Sequence, residues 1–279
     1  MIIWLASYPK SGNTWVRSIV SALAYSSDGN FKMNMLSQIQ QFPRISHFKN
    51  INENLEDINI IKKYWIKAQE KINADKKLYF YKTHHANIKI DDYSFINRNN
   101  TIGTIYIVRD PRNIISSLSN HFNLSQNNAK DFIFSKKALR ENTNQDKSIL
   151  TVLGTWEEHY NSWTQFNDSL LLIRYEDLIS DKKKVFLKIL KFIQKFQKKK
   201  TALDMLKIDN ILKTTTFEKM KSLEAQKGFF EAVSHKETGK KKPFFNLGPN
   251  NNWQNLLSDE IRDKIENAFF NEMKELGYI

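Results

Sequence analysis

The chain has 279 residues, 41% of them hydrophobic and 13% aromatic, enough apolar material for the core of a single α/β domain. Its 43 Lys and Arg against 30 Asp and Glu leave a net charge of +13, which favours anionic partners: nucleic acid, an acidic membrane surface or a phosphorylated ligand. The absence of cysteine excludes a disulfide framework, a thiol nucleophile and any cysteine-ligated zinc or iron–sulfur site.

The opening run Met1-Ile2-Ile3-Trp4-Leu5-Ala6 is too short for a signal peptide and has no basic residue before it, so residues 2–6 read as a strand. A polar loop over 7–14 and an amphipathic stretch over 15–25 complete a strand–loop–helix unit. Residues 78–82, 104–108 and 170–174 read as further buried strands, and 113–120, 150–166, 182–196 and 259–276 carry helical patterns. Strands alternating with helices predict a parallel sheet with right-handed crossovers. Residues 228–252 show little period and several Gly, Pro and Asn, as expected of a long loop of the kind that forms lids. The lysine triplets at 198–200 and 240–242 read first as solvated surface, the second lying within that loop. No stretch approaches the roughly 20 apolar residues that span a bilayer, so a soluble, cytoplasmic protein is expected.

Three places carry chemistry. The loop Ser7-Tyr8-Pro9-Lys10-Ser11-Gly12-Asn13-Thr14 leads from a strand into a helix N-terminus, where unpaired N–H groups and the helix dipole favour an anion. Gly12 permits close backbone approach, Lys10 adds positive charge, and Ser11, Asn13 and Thr14 offer polar contacts; the G-x-x-x-x-G-K-S/T pattern of an ordinary P-loop is missing. Read alone, such a loop is also compatible with a plain turn carrying a lysine. Arg109 ends a strand, where a guanidinium grips phosphate bidentately, and the Ser117 hydroxyl follows just over two helical turns later; Arg109 could instead pair with Asp110 in a helix cap. His84 closes Tyr81-Lys82-Thr83-His84, with His85 as the rival base, and alternation along a strand sends the two to opposite faces.

These segments, in their order along the chain, resemble the cytosolic-type PAPS-dependent sulfotransferases, where PAPS is 3'-phosphoadenosine 5'-phosphosulfate. Tyr8-Pro9-Lys10-Ser11-Gly12-Asn13-Thr14-Trp15 is similar to that family's 5'-phosphosulfate loop, with Asn13 where threonine is common. Tyr106-Ile107-Val108-Arg109-Asp110-Pro111-Arg112-Asn113-Ile114-Ile115-Ser116-Ser117 resembles its 3'-phosphate motif, which implies that Arg109 and Ser117 hold that phosphate. The Lys-Thr-His resemblance implies His84 as general base and Lys82 on the sulfuryl oxygens. Trp15, Tyr175 in Arg174-Tyr175-Glu176-Asp177-Leu178, and Thr215-Thr216-Phe217 resemble adenine contacts, while the stretch from Thr155 to Trp163 resembles a helix that serves mainly packing. The sequence departs from the family at Asn246-Leu247-Gly248-Pro249-Asn250-Asn251-Asn252-Trp253, where Gly248 and Trp253 stay aligned with Arg-Lys-Gly-x-x-Gly-x-Trp but the basic pair is missing. Lys240, Lys241 or Lys242 are candidates to replace its charge.

The resemblance implies one sulfotransferase domain over 1–279, with a central parallel β-sheet flanked by helices in a P-loop-like fold. It implies in-line transfer of a sulfuryl group from PAPS to a hydroxyl or amine, with adenosine 3',5'-diphosphate (PAP) as product and no metal. The expected partner is a small-molecule, glycan or lipid acceptor, met by residues 31–73 and 123–147. No nucleic acid, no stable membrane insertion and a monomer or weak homodimer are expected. One rival is a small-molecule kinase, for which Asp110 is the candidate magnesium carboxylate. A second is a nucleotide binder without turnover, motivated by the missing Arg-Lys pair. A third is a basic nucleic-acid or membrane binder, which predicts lysines gathered on one face, whereas here they are spread along the chain.

Overall fold

A computed structural model describes residues 1–49, 51–140, 149–165, 169–197, 204–233 and 241–279. In chain order its strands are β1 (Ile2–Ser7), β2 (Tyr79–Thr83), β3 (Lys89–Ile90), β4 (Tyr93–Ser94), β5 (Thr101–Val108), β6 (Lys137–Arg140), β7 (Leu150–Gly154) and β8 (Leu170–Arg174). β1 is buried along its whole length, as a run apolar on both faces requires. It pairs in parallel with β2 on one side and β5 on the other, and β8 adds beyond β5, giving the order β2-β1-β5-β8. β3 with β4, and β6 with β7, form small antiparallel pairs outside this sheet.

The helices are α1 (Asn13–Tyr25), α2 (Ile58–Ile61), α3 (Trp65–Ile72), α4 (Pro111–Phe122), α5 (Gln126–Phe134), α6 (Trp156–Thr164), α7 (Tyr175–Ser180), α8 (Lys182–Gln194), α9 (Met205–Thr214), α10 (Phe217–Lys227), α11 (Trp253–Leu256), α12 (Asp259–Ala268) and α13 (Phe270–Glu275). Strand alternation divides the core into two layers. Ile2, Trp4, Ala6, Tyr106 and Val108 face α3, α4, α5, α6 and the C-terminal helices. Ile3, Leu5, Ile105, Ile107 and Ile173 face α1, α8 and α9. Phe42 and Phe48, within the segment expected to meet the acceptor, pack into the first layer against Trp4, Phe95 and each other.

The expected four-stranded parallel core is present, with two differences in the surrounding elements. Residues 150–154, expected to begin a helix, form β7: Thr151 and Leu153 point inward while their neighbours are half-buried, a period of two. Gly154 at φ 70° ends the strand, and α6 starts only after a Thr155–Glu158 capping box. The helix expected over 259–276 is broken at Phe269 into α12 and α13. In the expected loop, residues 228–233 and 241–252 contain one short 3-10 turn, Gly248–Asn250. Residues 198–200 and Lys240 lie outside the described residues. Among the described residues no helix is long and apolar enough to cross a membrane.

Candidate active site at the carboxyl ends of the sheet

Because β1, β2 and β5 run parallel, their carboxyl ends open on the same edge, where loops of an α/β sheet gather ligands. The loop after β1 curls through two left-handed residues, Lys10 at φ 67° and Gly12 at φ 98°. At Gly12 a side chain is excluded twice over, since a Cβ would also lie 2.5 Å from Cδ2 of Tyr175. Asn13 opens α1 and braces the loop, its Nδ2 donating to the Leu5 carbonyl (2.9 Å) and to Ser7 Oγ (3.2 Å). Ser11 is fully buried, and its hydroxyl has no partner among the described residues.

β2 delivers Lys82 and His84 beside this loop. His84 Nδ1 lies 2.8 Å from the Ser7 carbonyl oxygen. A carbonyl only accepts, so Nδ1 carries a proton, and in the neutral tautomer the lone pair lies on Nε2. The His84 carbonyl in turn accepts from Nε2 of His159 (3.1 Å), whose Nδ1 meets the Tyr106 hydroxyl (2.8 Å). Burial pushes His159 down to about 3, so it stays neutral and acts as a fixed brace. His85 points the other way, stacked on Phe95 at 3.9 Å and fully buried, with burial lowering its pKa to about 4.

Arg109, at the end of β5, donates to the Lys10 carbonyl (3.2 Å) and lies 4.0 Å over the Tyr175 ring; its Nε is buried without a partner among the described residues. The cap pairing open to Arg109 in the sequence is taken by Arg112, which binds the Asp110 carboxylate at 2.6 Å while Asp110 caps α4. Arg112 also pairs with Glu266 and stacks on Trp253 at 4.0 Å. Ser117 sits half-buried on α4, one position after Ser116, whose hydroxyl is engaged by Asn251 (2.6 Å). On the other side of Gly12, Trp15 packs edge-on against Tyr175 and donates to the Thr215 carbonyl (2.7 Å). Phe217 follows at the start of α10, so close to Gly248 (φ 56°) that a Cβ there would lie 2.3 Å from its ring.

A carboxylate completes the cluster. Glu231, from the loop after α10, receives Arg17 Nη2 at 2.7 Å, lies 3.5 Å from Lys82 Nζ and accepts from the Thr14 hydroxyl at 3.4 Å. Burial opposes its charge, but Arg17, Lys82 and His84 together hold its pKa well below the usual carboxylate range. Lys10 lies 3.9 Å over the Phe244 ring, from the same loop region. Burial, with Lys82 and Arg109 as like charges, drives Lys10 down to about 7 against the pull of Glu231 and Glu224.

The sulfotransferase domain family matches residues 2–277. The chain belongs to the sulfotransferase family. A luciferin sulfotransferase of Photinus pyralis is 27% identical over 95% of this chain and 69% of its own length. Sulfotransferase 1E1 of Rattus norvegicus is 25% identical over 97% of this chain and 83% of its own. Among solved structures, mouse sulfotransferase SULT7A1 complexed with PAP covers 98% of this chain and 83% of its own at 19% identity, with a TM-score of 0.60. A retinol dehydratase in complex with androsterone and inactive cofactor PAP gives 0.61 at the same identity, over 98% of this chain and 80% of its own.

Within this sulfotransferase the sequence motifs converge, but the C-terminal loop contributes what they did not anticipate. Asn246 and Leu247 leave no side-chain cation before Gly248; Lys221 of α10 donates to the Asn246 carbonyl at 3.0 Å. Lys242 donates instead to Asn123 at the end of α4 (2.8 Å). Arg17, Glu231, Phe244 and His159 escaped sequence reasoning. Only His159 had a local signal, standing on the buried face of α6 four residues after a capping box begins. Arg17 lies one turn after Thr14 and reads as the polar face of an amphipathic helix, while Glu231 is a single acidic residue in an aperiodic stretch.

Proposed function

We propose that this sulfotransferase takes the sulfuryl group from PAPS and delivers it to a hydroxyl or amine of a small molecule, with His84 as general base. The observation that carries the reading is the meeting of Lys10, Lys82, His84 and Arg109 at one edge of the sheet. There Ser11 Oγ and Arg109 Nε are buried and lack partners among the described residues, so polar capacity awaits an oxyanion. PAPS supplies, when bound, an activated sulfuryl group on a phosphate leaving group. Lys10, Ser11 and the amides of Gly12, Asn13 and Thr14 would hold its 5' end at the N-terminus of α1. Arg109 and Ser117 would hold the 3'-phosphate, and Trp15, Tyr175, Thr215, Phe217 and Gly248 would enclose the adenine.

Transfer of this kind needs little covalent help from a protein and much fixed charge. Lys82 would neutralise charge on the sulfuryl oxygens. His84 would receive the acceptor's proton at Nε2, with Nδ1 anchored on the Ser7 carbonyl so that the ring cannot present the wrong nitrogen. A kinase reading loses its magnesium ligand, because the Asp110 carboxylate is taken by Arg112 and the α4 cap. PAP formation from PAPS is measured with a panel of phenols, alcohols and amines. Acceptor-dependent PAP release that disappears in His84→Ala supports the reading; release of equal rate in His84→Ala removes His84 as base.

A further inference from the structure

The α1 face carries a cation for which the known motifs have no use. Arg17 is 2% exposed, its Nε has no partner among the described residues, and its Nη2 reaches Glu231 at 2.7 Å. Three residues apart on one helix, Thr14 and Arg17 share a face. The Glu231 carboxylate thus touches a hydroxyl at the phosphate loop, a guanidinium on the helix behind it and the Lys82 ammonium across from it. This is the donor set an oxyanion of phosphate or sulfate would select. A second anion cannot share it with a carboxylate, since like charges in a site sheltered from water repel strongly.

Resting on the donor reading above, we infer that Arg17 is a donor-binding residue, and that Glu231 holds its place until the oxyanion at the 5' end of PAPS displaces the carboxylate. The departing arm has somewhere to pivot: Gly228, at φ 69° and with open space around its Cβ position, starts the stretch that carries Glu231. The exchange keeps the buried cations neutralised before and after binding, so neither Arg17 nor Lys82 is left as an isolated charge.

The test is calorimetric titration of wild type, E231Q and the double variant R17Q/E231Q with PAPS and with PAP. E231Q removes the competing charge and keeps the shape, so it binds the donor on the order of tenfold more tightly than wild type. Adding R17Q to it weakens binding about tenfold or more, and R17K in the E231Q background restores part of the loss. A gain with both nucleotides assigns the displaced position to the 5'-phosphate, and a gain with PAPS alone assigns it to the sulfuryl group; each supports the exchange. If Arg17 and Glu231 form only a structural pair, E231Q lowers the unfolding temperature and leaves donor affinity unchanged or weaker, which overturns the inference while the donor reading stands. Wild type and variants that bind neither nucleotide overturn both.

Discussion

The site has two halves built in different ways. One half stands on the ends of β1, β2 and β5 and on the start of α1, where Lys10, Ser11, Lys82, His84 and Arg109 are placed by regular elements with fixed register. The other half comes from residues 228–233 and 241–252, where the side chains of Glu231, Phe244 and Asn251 and the backbone of Gly248 dock individually onto α1, Lys10, α4 and Phe217 respectively. Parallel strands bring distant residues to one edge by counting along the chain, whereas an aperiodic segment is positioned only by its tertiary contacts. On the proposed reading, the residues that act on the donor and acceptor stand on the half built from regular elements, and Glu231, which is proposed to yield to the donor, stands on the other.

The comparison can be broken first at His84. His84→Ala is expected to lower kcat by about a thousandfold while leaving PAP affinity nearly unchanged. His85→Ala, which empties a stacked core position, lowers stability by about 2–3 kcal/mol and spares the kcat of the folded fraction. Activity assays and thermal unfolding of the two variants separate these roles, and a dead His85→Ala beside an active His84→Ala moves the base by one residue. Arg109→Ala should weaken PAP binding by roughly 10- to 100-fold and 5'-AMP binding far less, since a charged hydrogen-bonding partner contributes about 1.5–3 kcal/mol. Equal losses for the two nucleotides remove its 3'-phosphate role.

The irregular half predicts smaller effects. Gly248→Ala must push against the Phe217 ring from a left-handed backbone, so PAP affinity falls by about tenfold through strain of about 1–3 kcal/mol, with kcat at saturating donor retained. The gentlest effect is a pH dependence. In the ligand-free protein Lys10 is pushed down to about 7, so above that pH it is largely neutral. Donor phosphates favour the ammonium, and PAP binding then takes up as much as about one proton, with affinity falling as pH rises. Calorimetry in buffers of different ionisation enthalpy reads this uptake, and Lys10→Arg should abolish it.

Much of the first half was legible in the sequence because its signals are local. An apolar run followed by Lys10-Ser11-Gly12 and an amphipathic stretch reads as the strand–turn–helix that is present, and the opposite facing of His84 and His85 follows from strand alternation. β7 was missed because Leu150-Thr151-Val152-Leu153 abuts α6 and a short apolar run fits either period; Gly154 and the Thr155 cap were the boundary signals. The engagement of Arg109 by Tyr175 rather than Asp110 depends on a stacking partner 66 residues further along the chain, in α7. Glu231 meeting Arg17 depends on the path of an aperiodic loop, which no spacing rule encodes.

The most direct test of the account is calorimetric titration of the purified protein with adenosine 3',5'-diphosphate, with ATP and magnesium as the control. The account predicts that PAP binds at least about tenfold more tightly than ATP with magnesium and that Arg109→Ala removes most of that preference. Equal or tighter binding of ATP, or a preference that Arg109→Ala leaves intact, would contradict it.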